Sequence, residues 1–159
     1  MLDQTPVQIA WVTDDLAATE TALTSLLGAR TWVRMPGVHF GPDTCTYRGR
    51  PADHVADISL SYAGDTQLEV ISPVSGQSIY REFLDRCGPG LHHVCRAFDA
   101  AGFDDAVARA DIVMAGTMPG GMRFAYASAA DAGVPFIEFA HVPTEIQALF
   151  DHIKQEQQK

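Results

Sequence analysis

Apolar residues in this chain fall in short runs, and the runs repeat. Residues 7–12 (VQIAWV) are apolar and of strand length. Asp14 and Asp15 follow, where carboxylates satisfy the free N–H groups of a helix start. Leu16, Leu23, Leu26 and Leu27 then form an apolar stripe that ends at Gly28. The pattern predicts a strand and then an amphipathic helix of about three turns.

Residues 30–34 (RTWVR) read as a second strand. Residues 35–42 (MPGVHFGP) hold two prolines and two glycines and read as a loop. Residues 44–48 (TCTYR) carry strand-forming types. In 57–62 (DISLSY) Ile58, Leu60 and Tyr62 alternate with polar positions, Gly64-Asp65 turns the chain, and 66–71 (TQLEVI) returns as a hairpin. Ile79, Phe83 and Leu84 recur at helical spacing through 78–87, and Gly88-Pro89-Gly90 stops that helix. The order then begins again: strand 91–98, helix 103–110 with an acidic pair near its start, and strands 111–114, 122–128 and 134–140. A helix at 143–153 and a polar tail close the chain.

The two halves share an order of elements but little identity, and no flexible linker separates them. The expectation is an α+β protein of one body over 1–159. It comprises modules 7–73 and 91–142, a linking helix 78–87 and a C-terminal helix 143–153.

Composition agrees with a folded chain: 47% hydrophobic and 19% charged over 159 residues, enough to bury a core without staples. With 11 Lys+Arg against 20 Asp+Glu the net charge is −9. Such a surface repels phosphate backbones and anionic lipid, so neither nucleic acid nor membrane is an expected partner. The opening residues lack the basic and long apolar stretches of a signal peptide or transmembrane span. Cys45, Cys87 and Cys95 are odd in number and irregular in spacing, which fits free thiols in a reducing cytoplasm rather than disulfides or a thiolate zinc site. The acidity reads as solubility, or in part as acids gathered around a cation.

Four polar residues interrupt the apolar strands at equivalent places. Side chains alternate along a strand, so Gln8 shares a face with Ala10 and Val12, and His93 with Leu91, Cys95 and Ala97. Glu69 sits beside Gln67 and Ile71, and Glu138 beside Phe136 and Ala140 inside FIEFA. Each alone reads as a solvent-facing carboxylate or an ordinary core histidine. A buried carboxylate, however, must be paired, protonated or bound to a cation. An amide oxygen, two carboxylates and an imidazole together suit a borderline divalent metal.

At these residues the sequence resembles the vicinal oxygen chelate superfamily, which includes glyoxalase I, methylmalonyl-CoA epimerase, extradiol dioxygenases and bleomycin-resistance proteins. The resemblance runs through residues 7–29 (VQIAWVTDDLAATETALTSLLGA), 67–73 (QLEVISP), 75–95 (SGQSIYREFLDRCGPGLHHVC) and 134–142 (VPFIEFAHV). The Gly-Leu-His-His run is the most specific piece and points to the glyoxalase and epimerase branch. The resemblance implies two βαβββ modules forming a curled mixed sheet around a cleft. It places metal ligands at Gln8, Glu69, His93 and Glu138, with His92 turned to the other face. Much of this branch has histidine where Gln8 stands. The implied cofactor is a divalent ion (Zn, Ni, Co or Mn), and the implied assembly is a homodimer. The implied activity is that of a metal-dependent lyase or isomerase. It removes a proton beside a carbonyl and stabilises the enolate on the metal, with Glu138 as ligand and proton shuttle. Two other readings stand beside it: a protein that sequesters a small hydrophobic ligand without chemistry, and a metal-free enzyme with Glu69 or Glu138 as base.

Trp32, Tyr47, Phe124 and Tyr126, with Phe40, Tyr62 and Phe136, are the aromatic candidates for a substrate pocket, with core packing as the alternative. Arg34, Arg48, Arg81 and Arg123 are candidates for a substrate anion, with a plain surface role as the alternative. Met114, Met118 and Met122 flank Pro119-Gly120-Gly121 as an adaptable pocket edge. His39 reads as a loop residue, and His54 and His141 as surface residues.

Overall fold

The computed structural model describes residues 5–159, so the first four residues of the expected body lie outside it. In chain order the elements of the first half are β1 (Gln8–Val12), α1 (Leu16–Leu27), β2 (Val33–Phe40), β3 (Cys45–Tyr47), β4 (Arg50–Pro51), β5 (His54–Ala63) and β6 (Thr66–Ser75). After α2 (Ile79–Cys87) come β7 (Gly90–Phe98), α3 (Ala100–Arg109), β8 (Ile112–Thr117), β9 (Arg123–Ser128), β10 (Phe136–His141) and α4 (Thr144–Glu156). Among the described residues no helix is long and apolar enough to cross a membrane.

Ten strands form one curled mixed sheet in the order β2-β5-β6-β1-β7-β10-β9-β8-β3-β4. The run β1-β6-β5-β2 in the first half repeats as β7-β10-β9-β8 in the second. In each half the first strand lies parallel to the last, and β1 and β7 meet antiparallel at the centre. A half-turn at that central pair therefore relates the two halves.

Local signals set the helices. Asp15 accepts from the Ala18 N–H at 3.0 Å and caps α1, and Gly28 ends it in the left-handed conformation with φ 76°. Asp99 caps α3 through the Gly102 N–H at 2.7 Å. On the inner side of the sheet, Ile79, Tyr80 and Leu84 of α2 pack with Ile58, Leu60, Met114, Phe124 and Tyr126 to form the main core. On α1, Glu20 accepts two hydrogen bonds from Arg34, at 2.9 and 2.7 Å, and one from Ser59 at 2.6 Å. The Arg34 guanidinium holds the Glu20 carboxyl below its ordinary range, against the opposing pull of burial.

Two strand expectations change. Residues 35–40 lie within β2 rather than in a loop. β2 is the edge of the sheet, where proline is tolerated because no ladder partner needs its missing N–H. A bulge between Met35 and Val38 takes up Pro36-Gly37, with Gly37 at φ 64° and its N–H held by Asp57 Oδ1 at 2.8 Å. The expected strand at 44–48 forms as β3, but it leaves its own half and pairs with β8, Cys45 opposite Gly116 and Tyr47 opposite Met114. The first half thus lends a strand to the far edge of the second. Gly116 makes the approach possible, since a Cβ there would lie 2.5 Å from Cys45 Sγ.

His54 is not a surface residue. It is 2% exposed and stacks on Phe40 at 4.6 Å, with both ring nitrogens lacking hydrogen-bond partners. Burial, and then the nearby charge of His39, push its pKa down to about 4. His141 is half-buried, its Nδ1 3.1 Å from the Phe98 carbonyl.

Candidate metal centre

The sheet register brings Gln8, Glu69, His93 and Glu138 together. Across the central pair, Gln8 opposes Cys95 and Ala10 opposes His93. Parallel pairing then sets Glu69 beside Ala10 and Glu138 beside Cys95. The four residues occupy two adjacent rows on one face. The half-turn exchanges Gln8 with His93 and Glu69 with Glu138.

Their polar atoms converge on His93 Nε2. Glu138 Oε2 lies 3.2 Å from it, Glu69 Oε2 3.4 Å and Gln8 Oε1 3.3 Å. His93 is fully buried, Gln8 and Glu138 are buried, and the Glu69 side chain is 13% exposed. The Gln8 amide is oriented by a relay, because its Nε2 donates to Gln67 Oε1 at 2.6 Å and Gln67 Nε2 donates to the Tyr62 hydroxyl at 3.1 Å. With its NH2 group engaged, Gln8 turns its oxygen to the cluster. The relay from Gln8 through Gln67 to Tyr62 is not legible in the sequence, because one strand's pattern does not reveal which residue lies beside Gln8 on the next strand.

The electrostatics are those of two acids around one base. Burial by itself disfavours a charge on His93, but hydrogen bonds with Glu138 and Glu69, and their charges, outweigh it and lift its pKa to about 9. Burial raises the Glu69 carboxyl, with Glu138 adding to the rise and the His93 hydrogen bond opposing it. Burial also raises the Tyr126 and Cys95 groups beside them well above their ordinary range.

His92 departs from the expected alternation. The β1–β7 register slips so that Ala10 opposes His93 while Trp11 opposes Leu91, which leaves His92 as the extra residue of a β-bulge. A bulge re-aims a side chain. The His92 ring is fully buried on the cluster's side, its Nδ1 2.8 Å from His93 Nδ1. Tyr80, Phe83 and Phe136 surround it with ring centroids 5.3, 5.2 and 5.0 Å away. Burial, then the His93 charge, push its pKa down to about 2. Beyond the bulge the parity of β7 is reversed, so Leu91 is 40% exposed rather than sharing the His93 face.

The aromatic candidates separate. Tyr126 packs edge-on against the His93 ring at 5.0 Å and its hydroxyl lies 2.7 Å from that of Tyr80. Phe124 belongs to the core between Phe40 and Tyr126. Tyr47 donates its hydroxyl to Glu82, which with Arg48, Phe83 and Phe136 lines a cavity of ≈ 420 Å³ along α2. Trp32 is not brought to the cluster; its indole N–H donates to Thr24 Oγ1 of α1 at 3.0 Å. Arg34, Arg48, Arg81 and Arg123 are each paired with a carboxylate, Glu20, Glu82, Asp85 and Asp104 respectively. His39 Nε2 lies 2.7 Å from Asp53 Oδ1. Met114 is core, while Met122 lines a cleft of ≈ 150 Å³ that reaches Gln8, Gln67 and Glu138. Phe150 and Lys154 of α4 also line that cleft, and Lys154 is tied to Asp65 at 2.7 Å.

Among the described residues, Glu69, His93 and Glu138 form a group able to hold a metal ion, their donor atoms lying within 4.8 Å of one another. The Gln8 oxygen adds a fourth donor. Such a mixed oxygen and nitrogen set suits a borderline divalent ion. Two buried carboxylates beside one imidazole also call for more positive charge than the chain supplies. The residues fit the ion.

A family model described as Glyoxalase/Bleomycin resistance protein/Dioxygenase superfamily matches residues 7–126. Among solved structures, methylmalonyl-CoA epimerase from Mycobacterium tuberculosis is similar, with 18% identity, a TM-score of 0.63, and 93% of this chain and 97% of that one covered. A hypothetical protein from Bacillus halodurans shares 14% identity at a TM-score of 0.63, covering 87% of this chain and 94% of its own. Streptomyces coelicolor methylmalonyl-CoA epimerase, solved in complex with 2-nitronate-propionyl-CoA, shares 15% identity at a TM-score of 0.57, covering 89% of this chain and 100% of its own. No curated protein sequence matches the chain. The curled sheet of paired halves expected from the resemblance is the fold these structures share.

Proposed function

The chain belongs to the glyoxalase/bleomycin resistance protein/dioxygenase superfamily, and from that premise we propose that it is a metal-dependent lyase or isomerase acting on a carbonyl compound. One observation carries the reading: Gln8, Glu69 and Glu138, drawn from both halves, bring oxygens within 3.2–3.4 Å of His93 Nε2. A divalent ion held there would supply Lewis-acid stabilisation of the negative oxygen created when a proton leaves the carbon beside a carbonyl. Glu138 moves that proton, because its carboxylate faces both His93 and the ≈ 150 Å³ cleft. A positioned base of this kind is worth about 10²–10⁴-fold in rate. Glu69, His93 and the Gln8 oxygen would hold the ion with Glu138. Tyr126 packs its ring edge-on against the His93 imidazole and helps to fix it in place.

The epimerases that share the fold include one solved in complex with methylmalonyl-CoA, which makes a thioester with an acidic C–H the first substrate class to try. The test loads the protein with Zn, Ni, Co or Mn in turn and follows solvent deuterium entering methylmalonyl-CoA and simpler thioesters and ketones. Exchange should require metal and should fall about 10²–10⁴-fold in Glu138→Gln. Exchange undiminished in that variant removes Glu138 from the reaction. A chain that refuses every metal and exchanges no deuterium overturns the enzyme reading in favour of a sequestering protein.

A further inference from the structure

We infer that His92 is a positioning residue of this centre: it accepts the Nδ1 proton of His93 and so keeps His93 Nε2 aimed at Gln8, Glu69 and Glu138. The inference rests on the metal reading above and adds a residue to it.

The two Nδ1 atoms lie 2.8 Å apart, so one ring supplies an N–H and the other a lone pair. Which ring donates follows from the far side of His93. Its Nε2 faces three oxygens, from Gln8, Glu69 and Glu138. A neutral imidazole that offers Nε2 to a cation carries its proton on Nδ1. That proton needs an acceptor in a fully buried position, and His92 Nδ1 is the atom within reach. His92 then holds its own proton on Nε2. Metal-binding histidines ordinarily donate their second nitrogen to a carboxylate or a carbonyl; here a second imidazole takes that place.

The surroundings keep His92 in this pose. Tyr80 and Phe83 of α2, Tyr126 of β9 and Phe136 of β10 enclose the ring. The bulge opposite Ala10 and Trp11 is what brings it there, since regular alternation would send the residue before His93 through the sheet.

Nitrogen-15 spectra of the metal-free protein read the arrangement directly. The expected result is His92 protonated on Nε2 with an unprotonated Nδ1, joined to His93 Nδ1 by a through-hydrogen-bond N–N coupling. Zinc titrations of two variants read its consequence. His92→Phe keeps an aromatic ring but removes the acceptor, and zinc affinity should fall about 10–100-fold. His92→Asn restores an acceptor oxygen near the Nδ1 position, and affinity should recover. The visible spectrum of the cobalt-loaded protein should change in His92→Phe and return in His92→Asn. A proton on His92 Nδ1, or wild-type zinc affinity in His92→Phe, overturns the inference. Should His92→Phe fail to fold, the spectrum of the unsubstituted protein decides. A wild-type chain that binds no metal is the failure of the functional reading, and it is read separately from the proton's position.

Discussion

Glu69 and Glu138 both reach one imidazole nitrogen, lying 3.4 and 3.2 Å from His93 Nε2, each carried by the last strand of its own half. Without a metal, two carboxyl groups crowd one imidazole in a largely dry space, and burial pushes the Glu69 carboxyl up. A divalent ion would relieve that imbalance in the folded chain alone. At about 100 times its dissociation constant, zinc should add ~2.7 kcal/mol to the unfolding free energy. For a chain of this size that is roughly 5–10 °C in the unfolding midpoint. Thermal scans with zinc and with a chelator check it, and coincident midpoints would count against any bound ion.

The Gln8 amide is only as well placed as the relay behind it. Gln67→Leu removes the acceptor of the Gln8 NH2 group and frees the amide to rotate. Metal affinity should drop by about tenfold, with the cooperativity of unfolding retained. Tyr62→Phe, one step further back, should cost less. Calorimetric titration of both variants would show whether the effect declines along the chain of hydrogen bonds, and equal losses would argue for a general packing defect instead.

His54 gives the fold a pH dependence of known sign. The unfolded chain takes up a proton below the ordinary value of 6.5, while the folded chain resists until about 4. The stability His54 contributes is therefore complete above pH 6.5 and is lost as pH falls from 6.5 toward 4. The loss is about 3 kcal/mol at full extent. His54→Phe keeps the stack on Phe40 and has nothing to protonate, so the difference between the two urea-unfolding curves should grow across that window. Parallel curves from pH 7 to 4 would show that His54 does not titrate as its burial requires.

Gly116 marks where the borrowed strand touches its host. A methyl group there would meet Cys45 Sγ at 2.5 Å and the Thr44 carbonyl at 3.0 Å. Gly116→Ala should destabilise the fold by about 1–3 kcal/mol. Adding Cys45→Ala should return part of the loss, because the two side chains share one space. Additive losses in the double variant would mean that the crowding lies with the Phe124 ring and the Thr44 carbonyl rather than with Cys45.

The alternation of Ile58, Leu60 and Tyr62, the acidic caps and the repeated element order were legible in the chain because they are local. Gln8, Glu69, His93 and Glu138 stood out as polar residues in apolar strands, which is a local signal too. What lay beyond reach depends on partners. Proline and glycine at 36 and 37 read as a loop, since nothing local says that this strand is an edge with a bulge to absorb them. The departure of residues 45–47 to the other half is a matter of which edge is free. Alternation sends His92 to the opposite face because it counts residues along one strand, whereas a bulge is a mismatch of counts between two. The burial of His54 follows from an aromatic stack with Phe40 that joins two strands.

The central pair of strands is also the seam between the halves, and the four polar groups straddle it, two from each side. Neither half holds a rudimentary version of the site. An ion gripped by all four would act as a rivet through a joint: the seam opens only if the rivet comes out. Occupancy would then govern how firmly the two halves stay clasped.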